Sequence, residues 1–294
     1  MAQEPLVDRT FLEKLERLAI HWRKSFPGLV GGRNASRFSG AGQEFLDHRR
    51  FHYGDDLRAV NWRAYLRLEK LFLKLFQVEP RVPVRLLLDT SLSMATGGRG
   101  KFNYARRLAA ALTYIGLVRL DKILIQPFAG GLGEPFRAGG GRHCFAPAVE
   151  FLTALQPAGV SDFMSAAREL VAAYAQPGLL VVISDFLDEA GCEKPLQYLA
   201  DFEHELLLIQ LWDDDDRTPP WEGELELEDA ENARTMRLRF DREAGTRYTE
   251  AFDAHARMLQ NLATRHGGRY VGLAASMPIE EAVFGPLMRI SGVA

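Results

Sequence analysis

The sequence predicts an α/β fold built on a doubly wound, mainly parallel sheet. Two observations carry this. From Val84 onward, short apolar runs alternate with amphipathic helical segments, the pattern of parallel strands covered by helices on both faces. The 294 residues are 47% hydrophobic, enough to bury a large core.

The predicted strands are VRLLLD at 84–89, KILIQPFA at 122–129, LLVVISD at 179–185 and ELLLIQLW at 205–212. Between them the spacing predicts helices near 102–119, 145–155, 162–175 and 193–202. Tyr104, Leu108, Leu112, Ile115 and Val118 mark the buried face of the first. After the acidic run DDDDRTPPWEGE, read as a solvated turn, LELED and RTMRLRF flank a polar turn containing Asn232 and predict a β-hairpin insertion. A helix at 248–266 ending at Gly267-Gly268, the strand RYVGLA and the helix PIEEAVFGPLMRI complete the pattern. Upstream, Phe11, Leu15, Leu18 and Trp22 fall at helical spacing and Pro27-Gly28 closes an N-terminal helix. Residues 31–70 read as irregular loops with short strands, followed by a strand near 71–78. The division expected is 1–80 for the helix and this block, 81–213 for the α/β domain, 214–247 for the hairpin and 248–294 for its completion.

Charge and cysteine content narrow the function classes. The net charge is −3, and residues 201–250 hold sixteen acids against six Arg. This composition argues against nucleic-acid binding, which calls for a dominant basic surface. Cys144 and Cys192 are too few for a disulfide framework and lack CxxC spacing. The longest nearly apolar run, 108–118, is well short of the ~20 residues of a membrane span. A soluble, cytoplasmic chain with reduced cysteines and no membrane span is expected.

The chemistry-bearing stretch is LLLDTSLSM at 86–94, where an apolar strand ends by presenting Asp89, Ser91 and Ser93 on alternate residues. Alternate side chains of an extended segment share one side, and three oxygen donors together suit a hard cation. A polar loop whose serine caps the next helix is the plainer alternative. Two more loops are expected at the same carboxyl edge, where open α/β sheets bind ligands: one carrying Ser161 and Asp162, the other Asp185 at the end of a buried strand. Other motifs fail. GGRGKF at 97–102 has Ala95 and Phe102 at the Gly and hydroxyl positions of a phosphate loop. His48 and His52 lack the context of a zinc helix, and no GxSxG elbow or calcium loop is present.

These three loops resemble the metal-ion-dependent adhesion site of the von Willebrand factor A fold. Asp89, Ser91 and Ser93 match its Asp-x-Ser-x-Ser, Ser161 stands where Thr is usual, and Asp185 matches the third loop. The N-terminal block is similar to the signature of the domain of unknown function 58 family: Gly40, Gly42, Glu44 and Phe45; Arg49 or Arg50 and Tyr53; Gly54, Asp55, Asp56 and Arg58; and Trp62, with Asn61 where an acid is common. Read physically, this block is a structural staple with Arg58 paired to a carboxylate and Trp62 buried. The resemblance implies a metal site at Asp89, Ser91, Ser93, Ser161 and Asp185 holding Mg²⁺, or Mn²⁺ or Ca²⁺. It implies a non-enzymatic adaptor that binds a partner carboxylate, with a MoxR-type AAA+ ATPase as candidate partner in assembly or maturation of other proteins. The alternative is a metal-dependent phosphoester hydrolase using Asp89 and Asp185.

Overall fold

A computed structural model describes residues 6–8, 10–16, 39–40, 44–52, 55, 60–77, 83–96, 100–118, 120–174 and 176–290. The chain forms two compact units, one of residues 1–29 with 82–294 and one of residues 30–81.

The smaller unit holds a three-stranded antiparallel sheet of β1 (Ser39–Gly40), β2 (Glu44–Arg50) and β3 (Phe72–Gln77), with β3 central. Asn61 caps the helix α2 (Trp62–Leu68) by accepting from the Ala64 N–H at 3.3 Å. Asp55 is held by Arg49, at 2.8 Å, and by the His52 N–H, at 2.7 Å. Trp62 was expected to be a buried staple. It is 54% exposed instead, and α2 buries none of its side chains: Trp62, Tyr65 and Leu66 share one face of the helix, and Trp62 meets Tyr65 edge-on at 6.2 Å between ring centroids while that face stays open. Tyr53, Gly54, Asp56 and Arg58 lie outside the described residues.

In the larger unit, six strands are ordered β11-β8-β7-β4-β5-β6. Their ranges are β4 (Pro83–Asp89), β5 (Lys122–Phe128), β6 (Phe136–Ala138), β7 (Leu179–Ser184), β8 (Glu205–Trp212) and β11 (Arg269–Ala274). All pair in parallel except β6, which runs antiparallel on β5. Alternation along β4 divides the core: Leu86 and Leu88 join one cluster and Leu87 the other. The first cluster packs α3 (Lys101–Val118), α4 (Phe145–Ala154) and α9 (Ile279–Ala282) on one face of the sheet. Phe11 and Leu15, from the N-terminal helix α1 (residues 10–16), belong to it too. That segment is therefore part of the α/β unit and not of the block that follows it. The second cluster packs α5 (Phe163–Ala173), α6 (Glu193–Asp201) and α8 (Arg242–Arg265) on the opposite face.

α8 starts earlier than its apolar pattern suggests, because the Asp241 side chain accepts from the Ala244 N–H at 2.9 Å and caps the helix there. β9 (Gly223–Glu228) and β10 (Thr235–Phe240) form the hairpin. The acid run is not a free turn. Residues Asp214–Arg217 make a helical turn, α7, with a capping box from Asp213 and Asp216, and Asp213 is buried.

Candidate functional site at the carboxyl edge of the sheet

β4 and β7 are adjacent, so their carboxyl ends bring Asp89 and Asp185 to the same edge. A third loop is fastened to them by backbone bonds. Ala158 N–H donates to Thr90 O at 2.7 Å, and Leu92 N–H to Gly159 O at 3.1 Å. This carries Ser161 to the edge one residue before Asp162, which caps α5 through the Ser165 N–H. All five residues expected at the site are buried at or beside this edge.

The first loop is tightly organised. Asp89 Oδ1 accepts the Ser91 N–H at 2.9 Å and Asp89 Oδ2 accepts the Ser184 hydroxyl at 2.5 Å. Ser184 Oγ in turn accepts the Phe186 N–H at 2.8 Å. Phe186 is itself in the left-handed region, φ 58°, with its ring buried in the second cluster against Phe163. For an aromatic residue this conformation is costly. It aims the turn so that Leu187 N–H can bond Asp185 Oδ1 at 3.2 Å. Ser91 Oγ and Ser93 Oγ lie 2.9 Å apart. Burial, and then the charge of Asp185, pushes the Asp89 carboxyl up to about 7, against the pull of its hydrogen bonds from Ser184 and Ser91.

Two residues at this edge escaped sequence reasoning. Lys101, at the start of α3, is only 1% exposed, and its Nζ contacts Asp185 Oδ2 at 2.8 Å and Asp216 Oδ2 at 3.2 Å. Burial works against its charge, but the two carboxylates outweigh that and hold the ammonium above its ordinary value. The other is Glu231, on the hairpin turn, whose carboxylate accepts both the N–H and the hydroxyl of Ser161, at 3.0 and 2.9 Å.

The donor set suits a hard cation in one respect. Two ligands at right angles around an ion with bonds of ~2.1 Å stand about 3 Å apart, the separation of the Ser91 and Ser93 hydroxyls. Among the described residues no group of three or more His, Cys, Asp or Glu is gathered for a metal. A cation here would thus be held by hydroxyls and Asp89, with Asp185 already tied to Lys101.

Comparison with known proteins places the chain. It is 26% identical over 261 residues to the uncharacterized protein Rv1480 of Mycobacterium tuberculosis (strain ATCC 25618 / H37Rv), covering 87% of this chain and 82% of that one. The uncharacterized protein Mb1516 of Mycobacterium bovis matches to the same extent. Among solved structures it is similar to the conserved hypothetical protein BatB from Bacteroides thetaiotaomicron, with TM-score 0.46 and 19% identity over 72% of this chain and 100% of that chain. It is also similar to a von Willebrand factor type A protein from Catenulispora acidiphila, with TM-score 0.44 and 11% identity over 75% of this chain and 44% of that chain. The profile described as "Protein of unknown function DUF58" matches residues 47–258, and the chain belongs to the DUF58 family.

Proposed function

We propose that this protein is a binding module whose carboxyl-edge site takes a divalent cation, Mg²⁺ foremost, and with it an acidic side chain of a partner protein. The carrying observation is the pair of serine hydroxyls 2.9 Å apart beside a buried Asp89 fixed at both oxygens. Asp89, Ser91 and Ser93 would hold the ion, with Ser161 and Asp185 beside it. A bound divalent ion supplies positive charge for an anionic group. The protein's share is to present the two hydroxyls, to keep Asp89 oriented through Ser184, and to offer the Ser161 donors at the rim.

Binding is favoured over hydrolysis. Lys101 engages Asp185 Oδ2, and among the described residues no group of three or more His, Cys, Asp or Glu is gathered to hold a metal pair. From the family resemblance we take a MoxR-type AAA+ ATPase as the partner to test, with the cytoplasm as the compartment. Among the described residues, no helix is long and apolar enough to cross a membrane.

Calorimetry with Mg²⁺ and Mn²⁺ tests the metal. The wild-type chain should bind weakly and Asp89→Ala should not bind, while its melting temperature stays within a few degrees. Equal affinity in both would place the ion elsewhere. A pulldown of the ATPase that is indifferent to chelator would remove the metal from the contact.

A further inference from the structure

Glu231 reaches the site from 70 residues away in sequence. Its two oxygens accept two donors of one residue, the Ser161 N–H at 3.0 Å and the Ser161 hydroxyl at 2.9 Å. This is a two-point grip on a carboxylate, of the kind that gives charged hydrogen bonds both strength and direction. The rest of the hairpin is held differently at its two ends. At the root Phe240 is buried, meeting Trp221 at 6.2 Å between ring centroids. Toward the tip the remaining strand residues are exposed or half-buried. Among the described residues the tip is also tied by the ion pair of Arg234 with Glu189, at 2.8 Å, both of them exposed. An exposed pair of this kind adds little, and a two-stranded hairpin is not stable by itself.

We infer that the Ser161 N–H and hydroxyl form a carboxylate-recognition point, and that Glu231 is the chain's own occupant of it. An Asp or Glu side chain of a partner takes the point when the hairpin tip lets go. Glu231 is tethered, so it competes at the high effective concentration of an intramolecular ligand. The partner's apparent affinity is its intrinsic affinity multiplied by the fraction of chains in which the tip is released. This inference rests on the carboxylate-binding part of the function proposed above and not on its metal.

The test is chemical rescue. The full chain, ¹⁵N-labelled and carrying Glu231→Ala, is titrated with acetate while the Ser161 amide resonance is followed. Acetate should shift that resonance saturably in the variant, and at least tenfold more weakly in the wild type, where Glu231 competes. Adding Ser161→Ala to the variant should weaken the response again by removing one donor. No acetate response in Glu231→Ala, or the same response in wild type, overturns the inference. If Glu231→Ala fails to fold, Glu231→Gln, which keeps the side-chain shape and loses the charge, gives the same comparison.

Each titration is run in chelator and in Mg²⁺. Binding in chelator supports the recognition point even where the metal reading fails, and binding only in Mg²⁺ supports the metal reading and overturns a recognition point made by the Ser161 donors alone. Absence in both conditions overturns this inference and leaves the metal calorimetry to stand separately.

Discussion

The two edges of the six-stranded sheet bury polar groups under opposite terms. At the carboxyl edge Asp89 is bonded at both oxygens, the Ser91 and Ser93 hydroxyls meet each other, and Asp185 is held by Lys101 and the Leu187 N–H. At the amino edge, Arg85 Nη1, His204 Nδ1 and Arg269 Nη1 are buried with no hydrogen-bond partner among the described residues. There burial, and then the charge of Arg85, lowers the His204 imidazole below its usual range. Unpartnered buried groups cost stability, whereas partnered ones roughly break even. The difference teaches that the carboxyl edge pairs its buried carboxylates and hydroxyls with one another and with Lys101, while the amino edge leaves three buried nitrogens unpaired.

The largest expected effect breaks this contrast at its centre. Lys101→Met leaves Asp185 buried without its cation, a change that typically costs about 3–5 kcal/mol. Urea unfolding should show the loss, and Mg²⁺ should recover part of it if the carboxylates then take an ion. A stability close to wild type would mean that Asp185 does not depend on Lys101. A smaller effect of opposite sign is expected at the other edge. Arg85→Met removes a buried guanidinium whose Nη1 has no partner, and should be neutral or stabilising by about 1 kcal/mol. The Arg85 guanidinium also stacks on the Tyr174 ring at 5.5 Å. If that stack dominates, the variant loses stability and the contrast between the edges narrows.

The smallest effect is a pH dependence. Burial raises the Glu205 carboxyl to about 7, against the opposing charge of Arg269. The folded chain therefore holds this proton more tightly than the unfolded chain does. The contribution is intact below the unfolded value of 4.5 and is lost as pH rises toward 7. Glu205→Gln should match wild type near pH 4 and exceed it above pH 7, by under about 1 kcal/mol because the group is partly exposed. A gap that does not change with pH would assign the effect to shape and not to ionisation.

Much of this architecture was legible because local patterns decided it. β4, β7 and β8 are dominated by apolar runs, LLL, LLVVI and LLLI, and α5 carries a clear apolar face. The Asp-x-Ser-x-Ser loop could be read for the same reason, since its donors are neighbours in sequence. What escaped was non-local or too short. Lys101 meets Asp185 across 84 residues and Glu231 meets Ser161 across 70, and no spacing rule reaches that far. Lys101 is one of several cations there, with Arg99, Arg106 and Arg107, so nothing local singled it out. Glu231 left no signal. β6 has three residues, below the length at which alternation means anything. Trp62 was misjudged because a tryptophan is usually mostly buried, a prior that says nothing about the short helix carrying it. The early start of α8 was available in principle, from the aspartate that caps it.

The short strand β6 governs how this molecule behaves in a crowd. A parallel sheet with a long, flat outer strand would present an open row of backbone donors and acceptors, a template on which other chains can polymerise. Here that flank ends in three residues, with Arg137 at the middle one and Gly139, Gly140 and Gly141 directly after. So short a flank, carrying a cation, gives an incoming strand little to extend. That margin thus gives a second copy of the chain little to pair with.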